Sequence, residues 1–180
     1  MPIARLFVAV AVVVCLVFPD IARAAPAVDV FGLNWDVRPG ASVIKPATHS
    51  FSVRVYYEDT DFSGAVYHAS YLRFMERART EYLRELGIHQ QAIFAGDHGD
   101  IFGFAVRSMD IEFLKPARMD DMLNVTTSAK HIGGASIDLA QRVLRGEDVL
   151  VEAKVRIACI AGGRAIRLPS WVREKLLGKS

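Results

Sequence analysis

Apolar residues occupy every second position over residues 51–57, where Phe51, Val53, Val55 and Tyr57 alternate with Ser52 and Arg54. That two-residue period predicts a half-buried strand. An acidic, glycine-bearing turn follows, Glu58-Asp59-Thr60-Asp61-Phe62-Ser63-Gly64. From residue 68 to 86 the period lengthens: Tyr71, Phe74, Met75, Ala78, Tyr82 and Leu86 recur at steps of one to four, which predicts one long helix with an apolar face. Arg73, Arg77, Arg79, Glu81, Arg84 and Glu85 fall mostly on its other sides, and Gly87 supplies a stop.

After a short apolar piece at Ala92-Ile93-Phe94-Ala95, four strand-like runs appear over residues 104–114, 122–132, 136–144 and 149–160. Short turns between them predict an antiparallel meander. Residues 170–177 predict a terminal helix, with Ser170 as its N-cap just after Pro169. Strand, long helix, then four strands is an α+β order. A five-stranded antiparallel sheet can bury a single apolar-faced helix only by curling around it, which makes one long central helix the core.

The chain has 180 residues, enough for one domain with a real core and too few for two ordinary ones. Part of its positive mean hydropathy of +0.22 sits in one place, the thirteen consecutive apolar residues from Leu6 to Phe18. Arg5 precedes that run and Ala22-Arg23-Ala24 follows it, the layout of a secretory signal peptide. Thirteen residues fall short of the roughly twenty that cross a bilayer as a helix. The expected organisation is a signal-like leader or over-extended start at 1–24, a Pro-bearing linker or arm at 25–50, and a folded domain at 51–180.

Without the leader, 20 basic side chains face 19 acidic ones. A near-neutral body excludes nucleic acid as the main partner, because phosphate binding needs a concentrated basic face. Of the two cysteines, only Cys159 lies in the domain, so no internal disulfide is expected there, and its aliphatic strand neighbours predict an inert core thiol. His49, His89, His98 and His131 show no ligand spacing, and no metal is expected. No Gly-x-Ser-x-Gly elbow is present.

The chemistry-bearing stretch runs from Tyr56 through Asp59, Asp61, Ser63, Gly64, Val66, Tyr67, His68 and Tyr71 to Glu81. Asp59-x-Asp61-x-Ser63-Gly64 matches the opening of a calcium loop, but its twelfth position is Ser70 instead of a bidentate Glu, and a strand precedes it. The bland alternative is an Asx turn leading into a helix. The whole stretch resembles the Tol-Pal-associated acyl-CoA thioesterases, a branch of the 4-hydroxybenzoyl-CoA thioesterase-like hotdog proteins. Their hallmark is this Asp-x-Asp-x-x-Gly-x-x-Tyr-His-x-x-Tyr run between first strand and central helix. In element order the resemblance covers residues 51–176, and Phe113-Leu114-Lys115-Pro116-Ala117-Arg118 resembles the family's second patch.

The resemblance implies a hotdog fold and hydrolysis of short-chain, medium-chain or aromatic acyl-CoA to free acid and CoA. It assigns Asp61 as general base or nucleophile. His68 would stabilise the oxyanion through its amide at the helix N-terminus, or act through its ring. Gly64, Val66, Tyr67 and Tyr71 would bind substrate, with Asp59 and Glu58 shaping the turn. No cofactor is needed, CoA being part of the substrate. Arg107, Lys115, Arg118, Lys130, Arg156, Arg164 and Arg167 are all candidates for the CoA phosphates. The resemblance further implies a homodimer or homotetramer with interfacial active sites, Tol-Pal or lipid-synthesis partners, and a cytoplasmic location, the periplasm being the alternative if the leader is a genuine signal. Two other readings stand beside it: a hotdog hydratase or dehydratase, and a non-catalytic envelope interaction protein.

Overall fold

The computed structural model describes residues 48–97, 99 and 101–178; the leader and most of the expected arm lie outside the described residues. Strand β1 (His49–Arg54) leads through a 3-10 turn (Tyr57–Asp59) to the long helix α1 (His68–Glu85) and the short helix α2 (Gln90–Ala95). Strands β2 (Gly103–Phe113), β3 (Met122–Ile132), β4 (Ser136–Arg145) and β5 (Asp148–Ala161) follow, then the two-residue β6 (Arg164–Ala165) and helix α3 (Ser170–Leu176). All pairings are antiparallel, and the sheet runs β1-β3-β4-β5-β2, with β6 added to β5.

The long helix and the strand positions follow the hydrophobic pattern, but the meander is shorter than expected. Only β3, β4 and β5 are joined by tight turns. β2 lies at the opposite edge from β1, paired with β5 from Gly103↔Ile160 to Phe113↔Val151. The reason is the eight-residue connection 114–121, which contains Pro116 and is too long for a hairpin. Eight extended residues reach about 27 Å, ample for the three strand spacings, about 14 Å, between β2 and β3. Along the way this connection pairs with other backbone: Val55 N–H donates to the Asp121 carbonyl at 3.0 Å and Asp120 N–H to the Val55 carbonyl at 3.1 Å.

One face of α1 presents Tyr71, Phe74, Met75, Ala78 and Tyr82, all buried, to a concave sheet face that includes Leu123, Val125, Leu139, Val143 and Val155. Burying a large apolar side chain of this kind stabilises by about 1.5–3 kcal/mol. The curl reaches further around the helix than its apolar stripe suggests. Arg79, expected on an outward side, is held down among sheet residues, where its guanidinium donates to Gln141 Oε1 at 2.8 Å and burial lowers its pKa to about 10. Gln141 is itself buried and donates to the Met75 carbonyl at 3.0 Å and to Thr127 Oγ1 at 2.9 Å, so the polar groups under the helix satisfy one another.

Ser170 is the first residue of α3 and makes no cap; Pro169, in extended conformation, takes that place. Pro at the entry needs no N–H partner, which is why it serves there. Cys159 is buried among aliphatic side chains, and burial pushes its thiol up to about 11. Among the described residues no helix is long and apolar enough to cross a membrane.

Candidate active site

The acidic turn between β1 and α1 is held from both sides. Asp59, buried, accepts the Tyr56 N–H on Oδ2 at 3.0 Å, while its own N–H donates to the Tyr56 carbonyl and its carbonyl accepts from Tyr67 N–H at 2.8 Å. Arg73 Nη2 stands 3.9 Å from the other Asp59 oxygen and donates to Ser70 Oγ at 2.9 Å. Asp59 is thus committed to building the turn.

Asp61 is placed differently. Its N–H donates to the Ala65 carbonyl and its carbonyl accepts from Gly64 N–H, both at 2.9 Å, and Thr60 and Val66 bridge across the base of the turn. Gly64 closes it at φ +72°, a left-handed conformation in which a Cβ is disfavoured. The Asp61 carboxylate is exposed to solvent, and its Oδ1 accepts the Ser63 hydroxyl at 2.5 Å and the Ser63 N–H at 2.8 Å. Those two bonds, the hydroxyl's first, hold its pKa below the ordinary carboxylate value; slight desolvation opposes them and the nearby His68 adds to them. Oδ2 takes no hydrogen bond from the described residues.

Asp59 and Asp61 therefore serve separate hydrogen-bond sets, and among the described residues no three His, Cys, Asp or Glu side chains converge as metal ligands.

Seven residues after Asp61, α1 begins at His68 with Tyr67 as an extended N-cap and no side-chain cap. Ser70 N–H goes to the Tyr67 carbonyl at 2.8 Å. The N–H groups of His68 and Ala69 take no acceptor from the described chain, so the positive end of the helix dipole stays open beside the carboxylate turn. The His68 ring is exposed, 4.3 Å from the Tyr67 ring and 6.5 Å from that of Phe113 between centroids, and makes no hydrogen bond with Asp61.

The remaining expected site residues separate into two groups. Tyr67 and Gly64 are exposed, as are Phe62 and Tyr57. Val66 and Tyr71 are buried: Val66 N–H donates to the Ala117 carbonyl at 2.9 Å, and the Tyr71 phenol oxygen accepts the Ala117 N–H at 2.9 Å. Ala65 and Arg118 form a bridge beside them. Ala117 and Phe113, the latter with its ring centroid 5.8 Å from that of Tyr71, also belong to this region; an alanine in a loop and an aromatic on a strand carry no local chemical signal, and only the likeness of 113–118 to a family patch points to them.

Of the seven candidate phosphate contacts, Arg156 is locked bidentate on Asp138 and Lys115 is paired with Asp148. Arg118 lies beside the turn, its Nη1 3.8 Å from where a Cβ on Gly64 would stand.

This arrangement offers an ionised carboxylate next to unclaimed backbone N–H donors, which suits attack on a carbonyl carbon with an oxyanion held at the helix end. Comparison with known proteins identifies the family. Residues 55–176 match the family described as the thioesterase-like superfamily. The chain is 45% identical over 115 residues to an acyl-CoA thioesterase, YbgC, of Haemophilus influenzae, covering 64% of this chain and 82% of that protein. It is 48% identical over 109 residues to an acyl-CoA thioester hydrolase, YbgC, of an Escherichia coli O6:H1 strain, covering 60% of this chain and 78% of that protein. Its fold superposes on the crystal structure of a probable thioesterase from Bartonella henselae with a TM-score of 0.66 at 46% identity, over 68% of this chain and all of the other.

Proposed function

The chain belongs to the thioesterase-like superfamily, and on that premise we propose that it hydrolyses acyl-CoA thioesters to a free acid and CoA. The observation that carries the proposal is the exposed Asp61 carboxylate, held ionised by Ser63 and set seven residues before an uncapped helix N-terminus. Asp61 takes a proton from water, the hydroxide adds to the thioester carbonyl, and the His68 N–H holds the oxyanion. Collapse breaks the C–S bond, and the thiolate takes back the proton from Asp61. The alternative course, in which Oδ2 attacks the carbonyl and water later opens the mixed anhydride, uses the same residues. Single turnover in heavy-oxygen water labels Asp61 only when water opens an anhydride at the aspartyl carbonyl; opening at the acyl carbonyl labels the acid, as direct hydrolysis does, so hydroxylamine trapping of an acyl-enzyme completes the separation.

Carboxylate, water and backbone dipoles balance this reaction without a cofactor, so chelator treatment leaves the rate unchanged. The direct test is thiol release across short, medium, long and aromatic acyl-CoAs, where we expect turnover on short, medium or aromatic chains. No turnover on any of them overturns the proposal. The relatives' names support hydrolysis and lend nothing to a hydratase or a purely interacting protein.

Among the described residues Asp61, Phe62 and Tyr57 face solvent, and the eleven-residue β2 ends the sheet with no strand paired beyond it. We take both to be covered by a second copy joined at that edge, giving a homodimer or tetramer with interfacial sites, and light scattering should return at least twice the chain mass. CoA substrates argue for work in the cytoplasm, with Tol-Pal proteins as the partners the family resemblance implies. Cell fractionation and affinity capture of the tagged chain test these two points.

A further inference from the structure

Tyr71 does not line an open pocket: its side chain is buried, with 3% exposed, and its phenol oxygen is taken up by the Ala117 N–H at 2.9 Å. Ala117 in turn accepts the Val66 N–H at 2.9 Å, Arg118 bridges to Ala65, and the Ala65 carbonyl accepts the Asp61 N–H at 2.9 Å. An unbroken path of hydrogen bonds and peptide units therefore runs from the first turn of α1 to the backbone of the carboxylate. Tyr71 moves with the helix whose end carries the His68 N–H; Asp61 moves with the turn.

We infer that Tyr71 is a positioning residue: through Ala117 it holds the Asp61 turn at a set distance from the N-terminus of α1. The inference rests on the thioesterase reading for its kinetic consequence. The Tyr67 N–H on the Asp59 carbonyl at 2.8 Å also ties the turn to the helix entry, but it grips the turn two residues before Asp61. The stretch that carries the carboxylate contains Gly64 in a left-handed conformation and the exposed Phe62 and Ser63, and it meets the brace through Val66 and Ala65. A carboxylate displaced by about 1 Å loses on the order of 100-fold in rate, because attack requires a narrow approach. The Tyr71 ring packs against Phe74 and Phe113, at centroid distances of 6.2 and 5.8 Å, so Tyr71→Phe keeps the packing and removes only the oxygen.

The same helix provides a control. Tyr82 is 4% exposed, its phenol lies near the Ala129 backbone, and it sits at the far end of α1 from the turn. Tyr71→Phe and Tyr82→Phe are compared by thermal melt, by kcat and KM for the best acyl-CoA, and by amide hydrogen exchange in the full chain. We expect comparable melting temperatures, a kcat at least about 10-fold lower for Tyr71→Phe alone with KM within twofold, and faster exchange at Asp61, Val66 and Ala117 in that variant. Equal kcat losses in both variants, in step with lost stability, overturn the inference, because the hydroxyl is then only structural. A raised KM with unchanged kcat overturns it too, by making Tyr71 a substrate contact. Should the parent protein release no thiol from any substrate, the functional reading fails, while unaltered exchange at Asp61 and Val66 would still overturn the coupling and accelerated exchange would uphold it.

Discussion

The two ends of α1 are finished in opposite ways. At the C-terminal end, Gly87 adopts φ +70° and its N–H donates to the Arg84 carbonyl at 2.8 Å, while Ile88 N–H reaches the Leu83 carbonyl at 2.8 Å. Lys175 from α3 donates to the Gly87 carbonyl at 2.9 Å, and His49 from β1 pairs with Glu85. Cationic and backbone donors thus satisfy the negative end of the dipole. At the N-terminal end no side chain caps the helix, two N–H groups stay open, and the neighbouring carboxylate is exposed. One helix therefore spends one end on stability and leaves the other unfinished for chemistry, which is the arrangement a substrate oxyanion requires.

The largest effect that can break this comparison is Asp61→Asn. It should lower kcat by roughly 10²–10⁴-fold while leaving the melting temperature nearly unchanged, since the carboxylate is exposed. Activity near the parent level would mean that the N-terminal end is not the reacting end.

Next come the left-handed glycines on either side of α1, Gly64 and Gly87. Gly87→Ala adds the backbone cost of about 1–2 kcal/mol, and its Cβ would stand 2.7 Å from Lys175 Nζ, so that side chain must leave the Gly87 carbonyl. We expect a fall of several degrees in Tm with kcat intact. Gly64→Ala meets open space, with Arg118 Nη1 at 3.8 Å, and carries the backbone cost alone. Its Tm falls less and its kcat falls more, because the strain enters the turn that holds Asp61. A reversed pattern in paired melts and assays would erase the distinction between the ends.

Ser63→Ala sharpens the electrostatic side of the comparison. Asp61 works ionised, so activity is present above its pKa and lost as pH falls through it. Ser63 keeps that pKa low chiefly through its hydroxyl, so removing the hydroxyl should move the acid limb of kcat/KM to higher pH. A stationary limb would show that another group governs it. The smallest effect belongs to the closed end. Glu85 is largely exposed, and Glu85→Gln should cost no more than about 1 kcal/mol by denaturant titration, with kcat unaffected.

Much of this was legible in the chain. The helix over 68–86, all the main strands, and Asp61 in its turn follow from periods and spacings that lie within about twenty residues. The role of Tyr71 was not legible, because its burial depends on residues 113 and 117 folding over it from more than forty positions away. Arg79 misled for a related reason: on a helical wheel it faces outward, and only the curl of β3 and β4 around the helix brings Gln141 to it. The pairing of β2 with β5 in place of β3 departs from the expected meander because alternation marks a strand without naming its neighbour.

By itself, then, the sequence determined which segments are strands or helices and which carboxylate leads into the central helix, since each depends on local backbone preference and on alternation between apolar and polar positions. The tertiary structure alone decided that β2 closes the sheet against β5, that Ala117 joins Tyr71 to the Asp61 turn, and that one end of α1 is sealed while the other stays open. Those are pairings between distant residues, selected by register and by the burial of backbone groups that must find partners, and no local period encodes them.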